Sequence, residues 1–299
     1  MASLKSWIKA ARLRTLPLAL ASIAMGGAVA ARSTNFNLMA VVMAAITTLF
    51  LQILSNMAND FGDSHHGLDN EGRLGPKRTV QTGEISRKEM KTAIILLSFL
   101  SLLSGLWLIL GIARIPADIA WVYIALGLAA IAAAIKYTVG KNPYGYIGLG
   151  DLFVFLFFGL TGVLGTYYLA TVSFDLLVLL PASALGLLSA GVLNLNNMRD
   201  MSNDEANGKN TLAVFLGQKS SLKYHAALVL LPFLLLSLFI ISIQAGPFAW
   251  LFMLSLPLFV IDLIKINRIT KAEKLDPFLK KLALKTLLLT ALLVIGLNI

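Results

Sequence analysis

The sequence predicts an all-α polytopic membrane protein, a bundle of nine transmembrane helices that forms a single domain over residues 1–299. Of the 299 residues, 58% are hydrophobic and 13% are charged, whereas a soluble domain has about 25% charged residues. Apolar runs recur at a length close to the ~20 helical residues that cross the hydrocarbon core of a bilayer. No Pro- or Ser-rich linker divides the chain, which predicts one integral domain.

The nine predicted spans follow one another with short connections on one side and longer ones on the other. They cover residues 16–31, 37–57, 92–113, 117–135, 151–171, 177–197, 224–243, 247–264 and 282–298. Only Arg32 and Arg114, of 25 basic residues, fall on the side with short connections. The positive-inside rule therefore predicts a cytoplasmic amino terminus and an external carboxyl terminus, as in a bacterial plasma (inner) membrane protein.

The first basic stretch, residues 7–14, reads as an amphipathic helix on the inner surface that leads into the first span. Ala28-Val29-Ala30 looks like a signal-peptidase site, but the eight spans that follow favour a retained helix. The net charge of +10 does not indicate nucleic-acid binding, because the basic residues form no contiguous arm among stacking aromatics. The chain has no cysteine, which excludes a disulfide framework and a thiolate metal site.

Two acidic clusters follow the second and the sixth predicted spans, both on the inner side. In each, an Asn-x-x-x-Asp pattern precedes a further Asp, and the polar residues concerned are Asn56, Asn59, Asp60 and Asp63 in the first cluster and Asn196, Asp200 and Asp204 in the second. Residues four apart share one face of a helix. Carboxylates near hydrocarbon are costly and usually functional, so the pattern predicts two facing polar stripes that form one site.

Oxygen ligands without Cys favour Mg²⁺ over Zn²⁺, and Mg²⁺ binds a few carboxylates together with substrate phosphates. His65 and His66 are adjacent and point apart on a helix, which favours a loop or interfacial role over metal binding. We therefore predict a Mg²⁺ and diphosphate site. The cations predicted to support the diphosphate are Lys77, Arg78, Arg199 and Lys209. The alternative is that they only set the membrane topology.

A third inner connection, between the fourth and fifth spans, carries Tyr137 and Lys141, which are predicted to reach the diphosphate. Interfacial anchoring explains the tyrosine equally well. Asp151 at the start of the fifth span has either a functional role or only offsets a helix dipole. The phenylalanines that follow it line a pocket for an isoprenoid tail, or pack against lipid; they are Phe153, Phe155, Phe157 and Phe158.

At these residues the chain resembles the UbiA superfamily of intramembrane prenyltransferases, whose hallmark is two Asp-rich motifs on cytoplasmic loops after helices two and six. The first motif is present as Asn59-Asp60-Phe-Gly-Asp63 with Asp69 further on, and the second as Asp200 to Asp204. Longer strings, including 75–83 and 144–159, look like the branch that prenylates 1,4-dihydroxy-2-naphthoate in menaquinone synthesis.

The resemblance implies nine helices around a central cavity, with two Mg²⁺ held by Asp60, Asp63, Asp200 and Asp204. It implies an enzyme that ionises a polyprenyl diphosphate and joins the prenyl group to an aromatic acid, with loss of CO₂ and formation of demethylmenaquinone. The expected partners are these two substrates and the lipid bilayer, without nucleic acid. Alternatives are another acceptor, such as 4-hydroxybenzoate or homogentisate, and a membrane transporter.

Overall fold

The computed structural model describes residues 2–65 and 74–299, with the backbone alone for His65, and every regular element in them is helical. Ten helices are named here in chain order: α1 (Leu4–Ala11), α2 (Leu16–Ala30), α3 (Leu38–His65), α4 (Arg87–Ala113), α5 (Ala117–Lys136), α6 (Gly150–Thr171), α7 (Leu176–Ala206), α8 (Leu212–Ser242), α9 (Pro247–Asn267) and α10 (Asp276–Asn298). The predicted all-α fold is confirmed.

Eight helical segments in the described residues are long and apolar enough to cross a membrane, which indicates an integral membrane protein. They correspond to the first eight predicted spans, with α1 and α2 forming one segment. The ninth predicted span is the apolar part of α10, which packs against α2, α7 and the start of α9. Each predicted short connection is a break between helices in the structure.

Helices α3 and α7 extend well beyond the apolar runs that predicted them. The sequence prediction ends these spans at residues 57 and 197, whereas the helices continue to His65 and Ala206. The acidic clusters therefore lie on the last turns of two helices, and not on loops as the resemblance implied. The helices continue there because the acidic side chains of these turns pair with basic side chains. A hydropathy profile does not detect such pairing.

The amino-terminal segment is fixed to α3 by side-chain hydrogen bonds. The Asn56 amide donates to the carbonyl of Ala11 at 2.9 Å and to Thr15 Oγ1 at 3.0 Å. Between these points Arg12 ends α1 with a left-handed backbone (φ 49°, ψ 62°), a conformation that is uncommon outside glycine. This sharp turn joins the surface helix α1 to α2.

The core is centred on α7, which packs against α6, α8 and α10. A second apolar cluster joins α1, α3 and α4. Large apolar side chains stay exposed around the outside of the bundle, including Trp121 at 70% and Leu254 at 68%. A hydrocarbon environment removes the cost of exposing such residues, so these faces are the expected lipid contacts.

Two connections between helices meet at the polar end of α3. A Cβ on Gly62 would lie 2.6 Å from the carbonyl oxygen of Thr138, so only glycine permits this approach. The hydroxyl of Thr138 donates to the carbonyl of Ala58 at 3.1 Å. The amide of Asn210 donates to the carbonyl of Tyr146 at 2.9 Å, which ties the connection after α5 to the one after α7.

Candidate active site

Asp60 lies buried at the centre of a cationic environment, with 2% of its surface exposed. One oxygen pairs with Arg12, which the turn after α1 delivers, and the Nε atom of Arg78 lies 3.7 Å from the same oxygen. The other oxygen accepts a hydrogen bond from Thr79 Oγ1 at 3.1 Å. Burying a carboxylate requires such compensation, and these residues supply it for Asp60.

Asp63 is a turn further along α3 and is equally buried. It pairs with Arg78, whose guanidinium also donates to the carbonyl of Asn59 at 2.7 Å. Tyr146 donates its hydroxyl to the second Asp63 oxygen at 2.9 Å. Burial, and then the negative charge of Asp63, raise the pKa of Tyr146, so the phenol stays protonated and remains a donor.

The second cluster is organised around Arg199, whose side chain is fully buried. Its guanidinium donates to both oxygens of Asp200, at 2.9 and 2.6 Å, and to Asn196 Oδ1 at 2.8 Å. It also pairs with Asp276 at the start of α10. Arg14 lies 3.5 Å from the other oxygen of Asp276. Charges of alternating sign therefore run from Arg14 to Asp200.

Asp204 and Lys209 connect the second cluster to the first. Gly208 takes φ +71° just after α7, the left-handed position that commonly ends a helix. The next residue, Lys209, has its Nζ atom 3.4 Å from Asp204 and 5.6 Å from the ring centroid of Tyr146. Because Tyr146 bonds Asp63, the two acidic clusters share one site. Asp204 Oδ2 is buried and has no hydrogen-bond partner among the described residues.

An apolar cavity of about 330 Å³ opens beside this polar site. Its polar wall is on α3, where it is lined by Gln52, Asn56 and Asn59. Its aromatic wall comes from α6 and the connection before it, and is lined by Tyr137, Tyr144, Phe153, Phe157 and Phe158. Burial raises the pKa of Tyr137, and the neighbouring Tyr144 and then the Asp63 carboxylate raise it further.

The structure does not bring every predicted site residue to this place. Lys77 and Lys141 are exposed, and Phe155 packs on Gly186 and does not line the cavity. Asp151 is buried beside Tyr224. His66 and Asp69 lie outside the described residues.

Sequence reasoning assigned no site role to several side chains that build the site. These are Arg12, Gln52, Thr79, Tyr146 and Asp276. Arg12 and Asp276 lie 48 and 77 residues from the groups they bind. A local sequence motif does not identify partners that are so far away in the chain. Only the basic charge of Arg12 next to an apolar span indicated that it could lie near the site.

The donors present suit Mg²⁺ in their chemistry, because they are carboxylates and amides, the oxygen ligands that this ion takes. The buried, unpartnered Oδ2 atom of Asp204 also fits an approaching cation. In the described residues no three acidic or histidine side chains are close enough together to form a metal cluster. Arg12, Arg78, Arg199 and Lys209 neutralise the four carboxylates instead.

Comparison with known proteins gives a match to the model of the UbiA prenyltransferase family over residues 19–289. The 1,4-dihydroxy-2-naphthoate octaprenyltransferase of Haemophilus influenzae is 45% identical over 298 residues, which cover 99% of this chain and 96% of the relative. The enzyme of the same name from Escherichia coli is 42% identical, over 98% of this chain and 94% of the relative.

Solved structures show the same fold at low sequence identity. A UbiA homologue from Archaeoglobus fulgidus, bound to DMAPP and Mg²⁺, aligns with a TM-score of 0.65 at 18% identity, covering 98% of this chain and 99% of that chain. The same homologue bound to GPP and Mg²⁺ aligns with a TM-score of 0.67 at 17% identity, covering 98% of this chain and 100% of that chain.

Proposed function

The chain belongs to the UbiA prenyltransferase family, and from this premise we propose that it is a 1,4-dihydroxy-2-naphthoate polyprenyltransferase of menaquinone synthesis. It transfers a polyprenyl group from an allylic polyprenyl diphosphate to the naphthoate, with loss of CO₂, and forms demethylmenaquinol, the reduced form of demethylmenaquinone. The observation that carries the reaction type is the meeting of two acidic clusters beside an apolar cavity. The full-length similarity to octaprenyltransferases supports the acceptor.

The diphosphate of the donor is proposed to bind at the shared acidic site. Asp60, Asp63, Asp200 and Asp204 would hold Mg²⁺, which supplies positive charge to the departing diphosphate when bound. Arg78 pairs with Asp63 in the first cluster, Lys209 lies between Asp204 and the ring of Tyr146, and both add positive charge on the protein side.

The prenyl chain is proposed to lie in the cavity, from which apolar walls exclude water. When the C–O bond of the donor breaks, its electron pair leaves with the diphosphate. The rings of Phe153 and Phe157 face the same cavity and stabilise the allylic cation through their π faces. The ring carbon that carries the carboxylate forms the new C–C bond. Departure of CO₂ returns an electron pair to the ring, so no proton has to be removed.

We place the enzyme in the bacterial plasma (inner) membrane with its active site facing the cytoplasm. The argument is the distribution of Lys and Arg around the predicted spans, which puts the amino terminus inside. The surface helix α1 exposes Leu4 and Ile8 one turn apart, and this stripe fits the headgroup region of a membrane. The partners are the prenyl diphosphate, the aromatic acid and the lipid.

A product assay tests this function. The purified protein in detergent is given a polyprenyl diphosphate, Mg²⁺ and one of several aromatic acids. We expect dihydroxynaphthoate to be consumed with release of CO₂ and a product whose mass lacks the carboxyl group. Preference for 4-hydroxybenzoate or homogentisate would contradict the proposed acceptor while leaving the family chemistry in place. Solute flux across proteoliposomes without product would contradict the enzyme itself.

Replacing Lys209 by Ala is expected to raise the KM for the prenyl diphosphate about tenfold, since one charge-assisted contact to phosphate is worth roughly 1.5 kcal/mol. The KM for the aromatic acid should change little, because Lys209 faces Asp204 and Tyr146 rather than the cavity. Lys77→Ala is the matched control, because Lys77 is exposed. Equal donor KM values in the two variants would assign Lys209 to structure or topology.

A further inference from the structure

Gln52 places an unused hydrogen-bond acceptor in the wall of the cavity. Its Nε2 amide donates to Thr15 Oγ1 at 3.2 Å and to Asn56 Oδ1 at 3.4 Å. Both N–H groups of the amide are thereby used. No donor of the described residues reaches its carbonyl oxygen, Oε1, although the side chain lines the cavity.

The orientation of this amide follows from proton accounting. Thr15 donates its single hydroxyl proton to the carbonyl of Arg12 at 3.0 Å. The Thr15 oxygen can therefore only accept from Gln52 and Asn56, so both must turn their NH₂ groups toward it. Asn56 then presents its oxygen to Gln52. The network leaves Gln52 Oε1 as the acceptor without a partner.

The same cavity offers flat aromatic surfaces to a bound ring. Tyr144 and Phe153 stack with their centroids 4.1 Å apart, and Phe157 follows 6.2 Å from Phe153. Aromatic rings prefer offset-stacked or edge-to-face neighbours. A prenyl chain has no group that needs a hydrogen-bond acceptor, so the polar wall on α3 exceeds what the donor requires. An aromatic acid with ring hydroxyls uses both features.

We propose that the part of the cavity between Gln52 and the Tyr144–Phe153 pair is the subsite for the hydroxylated aromatic acid, and that Gln52 Oε1 accepts a hydrogen bond from a ring hydroxyl. This inference rests on the proposed function. Gln52 is then a specificity-determining residue, since a site built to bond a substrate hydroxyl discriminates strongly against an analogue that lacks it. An unpaired acceptor left against the smaller ligand is the source of that discrimination.

The test is equilibrium binding to the purified protein without prenyl donor, which does not depend on turnover. The probes are 1,4-dihydroxy-2-naphthoate and the two acids that lack one hydroxyl, 1-hydroxy-2-naphthoate and 4-hydroxy-2-naphthoate. We expect the wild type to prefer the diol over one of the two. In Gln52→Met we expect that preference to fall at least about tenfold, the effect of roughly one hydrogen bond. In a separate binding measurement, this variant should bind the prenyl diphosphate with the wild-type affinity.

Thr47→Val is the matched control, because Thr47 lines the same cavity but donates its hydroxyl to the carbonyl of Met43 at 3.0 Å. It should keep the wild-type preference. Gln52→Asn keeps the amide but shortens the side chain by one methylene, so it should weaken the preference partially. This variant replaces Gln52→Met in the test if the Met protein fails to fold. A wild-type preference in a folded Gln52 variant would overturn the subsite. A wild type that prenylates another acid instead would overturn the proposed acceptor, and the variants would be judged with that acid.

Discussion

Asp60→Asn is expected to lower kcat by about a thousandfold, because the site loses one of the four carboxylates proposed to hold Mg²⁺ at the diphosphate, and single electrostatic groups of this kind are worth roughly 10²–10³ in rate. The amide keeps the shape of the side chain and can still accept from Thr79. The loss should appear in single-turnover product formation with saturating donor and Mg²⁺. Asp200→Asn should behave alike.

The control for Asp60→Asn is Asp118→Asn, which removes an exposed carboxylate at the first turn of α5, far along the chain from the acidic clusters. It should retain wild-type turnover. Thermal unfolding in detergent separates lost chemistry from lost structure, since Arg12 and Arg78 lose their shared partner in the Asp60 variant. Retention of more than about a tenth of kcat in a folded Asp60→Asn protein is incompatible with the electrostatic magnitude used here.

The fold was predictable from the sequence to a large extent, because hydropathy over about 20 residues is a local property. The breaks after Ala30, Ala113 and Thr171 fall where the polar connections predicted them. The lengths of α3 and α7 were not predictable in this way, because their last turns are polar. Those turns are stabilised by pairing with Arg12 and Arg78, which come from other parts of the chain, and with Lys209, which follows the end of α7.

The candidate site was predictable as a set of acidic clusters, but its internal pairing was not. Helical spacing places Asn196, Asp200 and Asp204 on one face, yet nothing in that spacing indicates that Asp276 shares Arg199 with Asp200. Tyr146 entered the sequence prediction only within the string 144–159, which carries the family resemblance. Its role as the donor to Asp63 depends on the contact between two connections at Asn210.

The pairing also has a consequence for binding. In this structure the Asp60, Asp63 and Asp200 carboxylates each contact an arginine, and Asp204 contacts Lys209. A diphosphate that binds together with its metal counter-ion supplies negative charge for these arginines and Lys209, and positive charge for the carboxylates. The cations can then turn from carboxylate to phosphate, for which the planar guanidinium is equally suited. Substrate binding is therefore expected to exchange ion pairs rather than to create unpaired charges.

Arg199→Met is expected to reduce the free energy of unfolding by about 3–5 kcal/mol, because it breaks a buried ion pair by removing one of its two partners. Asp276 keeps Arg14 at 3.5 Å, whereas Asp200 loses both hydrogen bonds from the guanidinium. The midpoint of thermal unfolding in detergent should fall accordingly. Arg199→Lys retains the charge without the planar guanidinium, so its unfolding midpoint should lie between those of the wild type and Arg199→Met. Arg114→Met is the control, because it removes an exposed arginine; its unfolding midpoint should equal that of the wild type. A wild-type midpoint in Arg199→Met would show that Arg199 does not hold Asp200 in place.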